Sequence, residues 1–286
     1  MIEIKKQSLS ETFSVYFDKR MLKIALLGAI SGFPWVLIGS SLSLWLKEDG
    51  LSRSTVGWAG LIFAVYAFNY LWAPLIDRIQ IPYLTKKIGH RRGWIVLMQL
   101  LILISLFLWS VIDPSENLAL VISVGLMIAI ASATQDITVD ALRIEQIGEN
   151  ESRSMAAGAA MAVVGWWSGY KLGGVLSLFS AEFLENAGFQ NYWQLTFLIL
   201  GILIILMNIG LMFIHEKNDS TRQEIQNEND KFISNKFNKI NIFTQVVTWI
   251  SGTVSGPIVS FFKKNGFQIA LGILGFVFLF KVGEAF

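Results

Sequence analysis

Two carboxylates stand inside an apolar run long enough to have entered a lipid bilayer. They are Asp136 and Asp140, in the stretch Ala131-Ser-Ala-Thr-Gln-Asp-Ile-Thr-Val-Asp-Ala-Leu-Arg143 that closes the run from Leu118 to Ile130. Four residues apart, they share one face of a helix, with Gln135 beside Asp136 and Ser132 one turn back. A carboxylate near the bilayer centre costs roughly 2.5–3.5 kcal/mol on insertion scales and is rarely kept without a use. The chemistry open to such groups is binding of a polar solute or relay of a proton. Lys171, preceded by Tyr170, interrupts a second apolar run, and Asn69 a third. An ammonium at mid-span needs a carboxylate partner or a water-filled cavity. Asp136 is its first candidate partner and Asp140 the second. The plainer alternatives are a structural ion pair that fixes helix register and, for Asp140, an exposed helix-end group.

The elements that must position these groups follow from composition. Of 286 residues, 53% are hydrophobic and 15% charged, with mean hydropathy +0.55. That balance describes an integral membrane protein, embedded in a lipid bilayer as its first partner, and not a soluble domain. The net charge of +2 carries no nucleic-acid signature. Cysteine is absent, and the two histidines, His90 and His215, fall outside the apolar spans. No disulfide framework and no metal site is therefore expected. No phosphate-binding glycine loop or nucleophile elbow is present, so neither an enzyme nor a resident cofactor is expected.

Spans are expected at Ile24–Leu46, Val56–Ile76, Trp94–Ile112, Leu118–Val139, Met155–Phe179 and Trp193–Ile214, each near the ~20 residues a helix needs to cross the hydrocarbon. The fold class is thus all-α, a polytopic transmembrane helix bundle. Residues 1–23 form a basic lead-in, 24–214 a six-span unit, 215–266 a central loop, and 267–286 a seventh span. Lysine and arginine gather in the lead-in, in Asp77–Gly93 and after the sixth span, whereas the opposite loops are short and mostly acidic or neutral. This bias places the N-terminus in the cytoplasm. Seven tryptophans (Trp35, Trp45, Trp58, Trp72, Trp94, Trp109 and Trp193) lie mostly toward span ends, as interfacial anchors do. Gly165, Gly169 and Gly173 mark one face of the fifth span for close helix packing. Gly28, Gly32 and Pro34 predict a kink in the first, with Gly32 and Pro34 as hinge candidates. Residues 216–241 read as flexible linker, and Ile242–Phe262 as an interfacial helix, with a further span as the rival.

A six-span polar-cored unit followed by a long loop describes half of a secondary transporter. Asp77 and Arg78, with the basic cluster ending in Arg91 and Arg92, resemble the acidic–basic conformational loop of the major facilitator superfamily. The residues resemble the AmpG-type muropeptide permeases of the major facilitator superfamily. The resemblance rests on Leu71-Trp-Ala-Pro-Leu-Ile-Asp-Arg78, Gly89-His-Arg-Arg-Gly-Trp94, Ala131 to Ala141, Gly169-Tyr-Lys-Leu-Gly173 and Lys281-Val-Gly-Glu-Ala-Phe286. It implies import of anhydro-muropeptides, small anionic sugar-peptides from cell-wall recycling, across the bacterial inner membrane, with the proton gradient as driving force. It matches Asp136 and Asp140 to two family aspartates and Lys171 to a position where the family commonly has arginine; with the intramembrane Gln135 and Asn69 these make up the expected substrate- or proton-binding set. Because family members have twelve or more spans, the chain is expected to represent the N-terminal half plus the start of a seventh span. The alternatives are a non-transporting fragment, a partner of a separately encoded C-terminal half, and a carrier of another anionic solute such as an acetyl-coenzyme A-like compound.

Overall fold

The computed structural model describes residues 14–147, 151–216, 249, 253 and 256–285, and among them all regular structure is helical. Residues 1–13 of the basic lead-in, the linker 217–241 and residues 242–248 of the expected interfacial helix lie outside the described residues. The chain divides into two compact units, residues 1–66 with 81–216 and residues 67–80 with 217–286.

In the first unit, helix α1 (Lys19–Val36) starts at Asp18, whose carboxylate accepts from the Arg20 backbone N–H at 2.8 Å. Pro34 lies inside α1, and a π-helical turn at Leu37–Ser41 follows before α2 (Leu42–Glu48) continues the span. Proline lacks the N–H that an unbroken ladder would use, so the local break expected at Gly32–Pro34 takes the form of a π-turn just beyond it. The second span is less regular than its composition suggests. It runs as α3 (Arg53–Ala59), a 3-10 turn Gly60–Phe63 and α4 (Ala64–Phe68), and the last two residues of α4 with the 3-10 turn Asn69–Leu71 are assigned to the second unit.

Four longer helices complete this unit: α7 (His90–Trp109), α8 (Pro114–Glu145), α9 (Ser152–Asn186) and α10 (Tyr192–Met212), preceded by the short α6 (Leu84–Ile88). Among the described residues, five stretches are long and apolar enough to cross a membrane, the first being Lys19–Glu48 and the second Arg53–Leu71, with α7, α8 and α10 as the rest. Helix α9, the expected fifth span, is a single 35-residue helix but more polar than these.

Helix α1 packs chiefly against α9. A Cβ at Gly28 or Gly32 would collide with the carbonyl oxygen of Ala162 or Trp166, and one at Gly165 or Gly169 with that of Ala25 or Ala29. Only residues without a side chain let two helix backbones come this close. At the far end of the bundle, Trp45, Trp109, Trp193 and Phe197 pack ring against ring, with centroids 4.9–6.0 Å apart. Trp45, Trp109 and Trp193 are therefore buried at 2%, 0% and 2% exposure instead of anchoring at an interface. Edge-to-face packing of these rings outweighs interfacial placement here.

The second unit contains α5 (Ala73–Arg78), α11 (Gly256–Asn265) and α12 (Phe267–Ala285). Gly266 turns the chain from α11 to α12 at φ +75, where a side chain would be strained. The last residues of the expected interfacial segment fall in α11, and the expected seventh span coincides with α12.

Candidate functional site

Helix α8 brings Ser132, Gln135 and Asp136 to its face toward α1. Asp136 is half-buried and accepts from Ser31 Oγ at 2.6 Å. Gln135 is fully buried and donates through Nε2 to the Ile30 carbonyl at 2.7 Å. That bond spends a side-chain donor on the α1 backbone one residue before Ser31, so Gln135 locks the register in which Asp136 meets Ser31.

Aromatic rings continue from this polar face. Trp35, one turn after Ser31, has its ring centroid 4.6 Å from Tyr66, 5.0 Å from Phe63 and 5.5 Å from Trp166. Trp166 stacks in turn on Tyr170 at 5.6 Å. Tyr66 lies beside Ser132 and Asp136. Trp35 Nε1 and Gln135 Oε1 are buried without a hydrogen-bond partner. Each such atom costs about 1–3 kcal/mol.

Lys171 departs from expectation. Its ammonium is exposed and lies over the rings of Trp167 and Tyr170, at 5.6 and 5.7 Å, instead of pairing with Asp136 or Asp140. The physical reason is the face it occupies: the buried stripe of α9 is Gly165, Gly169 and Gly173, and Lys171 falls off that stripe. Asp140 is also exposed and pairs with Arg143 within its own helix at 3.0 Å, so it does not join Asp136 in one site. Asn69 belongs to the second unit, where its carbonyl accepts from the Trp72 N–H.

The expected conformational loop also falls into two groups. In the second unit, Arg78 Nη1 donates to the Trp249 carbonyl at 3.0 Å and to Thr253 Oγ1 at 2.9 Å; Asp77 lies beside it in α5. In the first unit, the backbone N–H groups of Arg91 and Arg92 donate to the two carboxylate oxygens of Glu216 at 2.8 and 3.0 Å. Glu216 thereby caps α7 from beyond the end of α10, satisfying orphan donors and the positive end of the helix dipole. The buried Arg91 side chain reaches Glu145 at 3.4 Å, and Gln146 Nε2 donates to the His215 carbonyl at 3.0 Å. One end of the bundle is thus tied together by charge.

At the opposite end, Trp193 Nε1 donates to Glu48 at 2.6 Å. Nearby, burial and then the Asp113 charge raise the Asp49 carboxyl above its ordinary value, whereas hydrogen bonds from Ser115 lower Asp113. Among the described residues, no three His, Asp or Glu side chains gather as metal ligands would.

Sequence reasoning singled out Gln135 and Asp136 but not Ser31, Tyr66, Phe63, Trp166 or Glu216. The available signal was the i, i+4 pair Ser31 and Trp35, two side chains with polar atoms on one face of an apolar span.

Residues 24–284 match the family model described as Major Facilitator Superfamily. A Rickettsia conorii protein named as an AmpG transporter is 33% identical over 271 residues, covering 95% of this chain and 58% of its own. An Escherichia coli K12 protein named anhydromuropeptide permease is 27% identical over 278 residues, covering 97% of this chain and 48% of its own. A Haemophilus influenzae protein of no stated function is 29% identical over 273 residues, covering 96% of this chain and 56% of its own. The chain spans about half the length of the curated relatives it matches.

Proposed function

The chain belongs to the major facilitator superfamily, among its AmpG-type members, and from that premise we propose that it serves proton-coupled import of anhydro-muropeptides across the bacterial inner membrane. The observation that carries the reading is Asp136: a half-buried carboxylate within a membrane-crossing helix, held by Ser31 and flanked by buried polar atoms. A carboxylate in that setting is favoured as a proton carrier because protonation removes the charge that burial penalises. In the proposed cycle, Asp136 takes a proton from the outer side and the solute binds beside it. The helices then rock to open inward, and loss of the proton to the cytoplasm resets the carrier. Gln135 holds the register of α8 against α1 throughout. Lys171 receives acidic groups of the solute on the exposed face of α9, its ammonium already stabilised by two aromatic rings. The end tied by Arg91, Glu145 and Glu216 faces the cytoplasm, with the N-terminus, in keeping with the bias of lysine and arginine.

The test is uptake of a labelled anhydro-disaccharide peptide by cells lacking their own permease, expressing this chain with a supplied second half, because the matched relatives are longer. Asp136→Asn is expected to retain solute binding and exchange while losing accumulation against a gradient. Full gradient-driven accumulation by the Asp136→Asn carrier would remove Asp136 from the mechanism. Lack of any uptake by the unaltered chain, with both halves found in the membrane, would remove the solute assignment.

A further inference from the structure

Helix α11 divides its residues by face. At about 3.6 residues per turn, Ile258, Val259, Phe261 and Phe262 share one side, and Lys263 and Lys264 stand on the other. Ile258 and Val259 are 52% and 49% exposed, so the apolar side is not spent on the core of its own unit. Both ends of the helix are tied to elements expected at the membrane boundary. Before it, Arg78 at the end of α5 donates to the Trp249 carbonyl and Thr253 Oγ1, and its guanidinium lies 5.1 Å from the centroid of the Trp249 ring. After it, Gly266 turns the chain directly into α12, the expected seventh span. There the Phe262 ring sits 5.6 Å from that of Phe267, the first residue of α12. We propose that α11 lies in the plane of the cytoplasmic leaflet, its apolar side among the acyl chains, and that Lys263 and Lys264 dock the headgroups of anionic phospholipids.

Charge and depth together select the occupant. Lys263 and Lys264 are both exposed, and no aspartate or glutamate occurs between Lys231 and Gly283, so no carboxylate of this stretch competes for them. An acidic protein or a free phosphate would engage the two ammonium groups but leave Ile258 and Val259 in water. A phospholipid satisfies both sides at once, with phosphate at the lysines and acyl chains along the apolar side. Trp249, 36% exposed on the approach to the helix, and Phe267 at 70% on its exit are aromatic side chains of the kind that settle at headgroup level. The bias of lysine and arginine puts this loop on the cytoplasmic side, where anionic lipids attract basic groups. The inference stands apart from the solute assignment, and its test does not read uptake.

The experiment uses the full chain in vesicles of phosphatidylcholine containing a minor share of phosphatidylglycerol. Because the chain has no cysteine, Gln268→Cys, exposed one turn beyond Lys264, carries a single fluorophore. Its quenching is compared for phosphatidylglycerol and phosphatidylcholine, each bearing a nitroxide near the top of one acyl chain. Phosphatidylglycerol is expected to associate about tenfold more strongly, and Lys263→Gln with Lys264→Gln is expected to abolish the preference. Lys86→Gln with Lys87→Gln removes two exposed lysines elsewhere and is expected to leave it unchanged. A nitroxide on Ile258→Cys is expected to meet dissolved oxygen more readily than a water-soluble nickel chelate. Equal quenching by the two lipids in the otherwise unaltered chain overturns the proposal. So does a preference that survives loss of both lysines, or one lost equally in the Lys86 and Lys87 variant. A label at Ile258 that meets the chelate more readily than oxygen places the apolar side in water and overturns it as well.

Discussion

The Asp18 carboxylate accepts from both the backbone N–H and Nε of Arg20, each at 2.8 Å. These bonds lower its affinity for protons below the ordinary carboxylate level. A lowered value means the folded state holds the ionised form better than the unfolded state does. The stabilisation is therefore present above the ordinary value and is lost as the pH falls through the lowered one. Asp18→Ala is expected to cost about 1 kcal/mol near neutrality, as loss of an N-cap does. The difference from the unaltered chain should close as the pH falls below about 4 in detergent unfolding measurements. A gap that persists in acid would mean that the side chain acts by packing and not as an ionised cap. Asp136 was legible in the sequence because a carboxylate in an apolar run is a conspicuous expense. Its neighbours were not. Trp35 reads as an interfacial anchor and Tyr66 carries no signal of its own, since composition does not reveal which rings will pack beside a polar face.

The seam between α1 and α9 depends on glycine at Gly28, Gly32, Gly165 and Gly169, each facing a backbone atom of the other helix. Backbone cannot rotate aside as a side chain can, so an added methyl must push the helices apart. Gly165→Ala is expected to lower stability by about 1–3 kcal/mol, the usual cost of overpacking. Gly174 supplies the control, because a Cβ there meets nothing within 4 Å. Gly174→Ala should be neutral or slightly stabilising, through the better helix propensity of alanine. Equal unfolding midpoints for the two variants in detergent would show that the seam tolerates separation. This seam was readable from the four-residue glycine period, and so were the long helices. The interruptions of the second span were not, because Gly57, Gly60 and Asn69 weaken a helix without forbidding it. Its apolar content is the same whether the backbone is regular or broken.

For the molecule as a whole, the charge distribution makes a statement about sidedness. The chain has no cysteine, so single cysteines report position without interference. Lys86→Cys, in the basic loop, is expected to be shielded from an impermeant maleimide in intact spheroplasts, and Glu116→Cys to be labelled. The opposite pattern would invert the bundle. The α1–α9 seam carries a further consequence, in time. Ala25 and Gly165 touch across about 140 residues of sequence. At roughly 5–20 residues per second of synthesis, the ribosome delivers the second half of that contact on the order of ten seconds after the first. Until then the nascent first span, with the glycine grooves on its flank, is without its mate, and a ribosome that stalls before α9 leaves that groove unfilled.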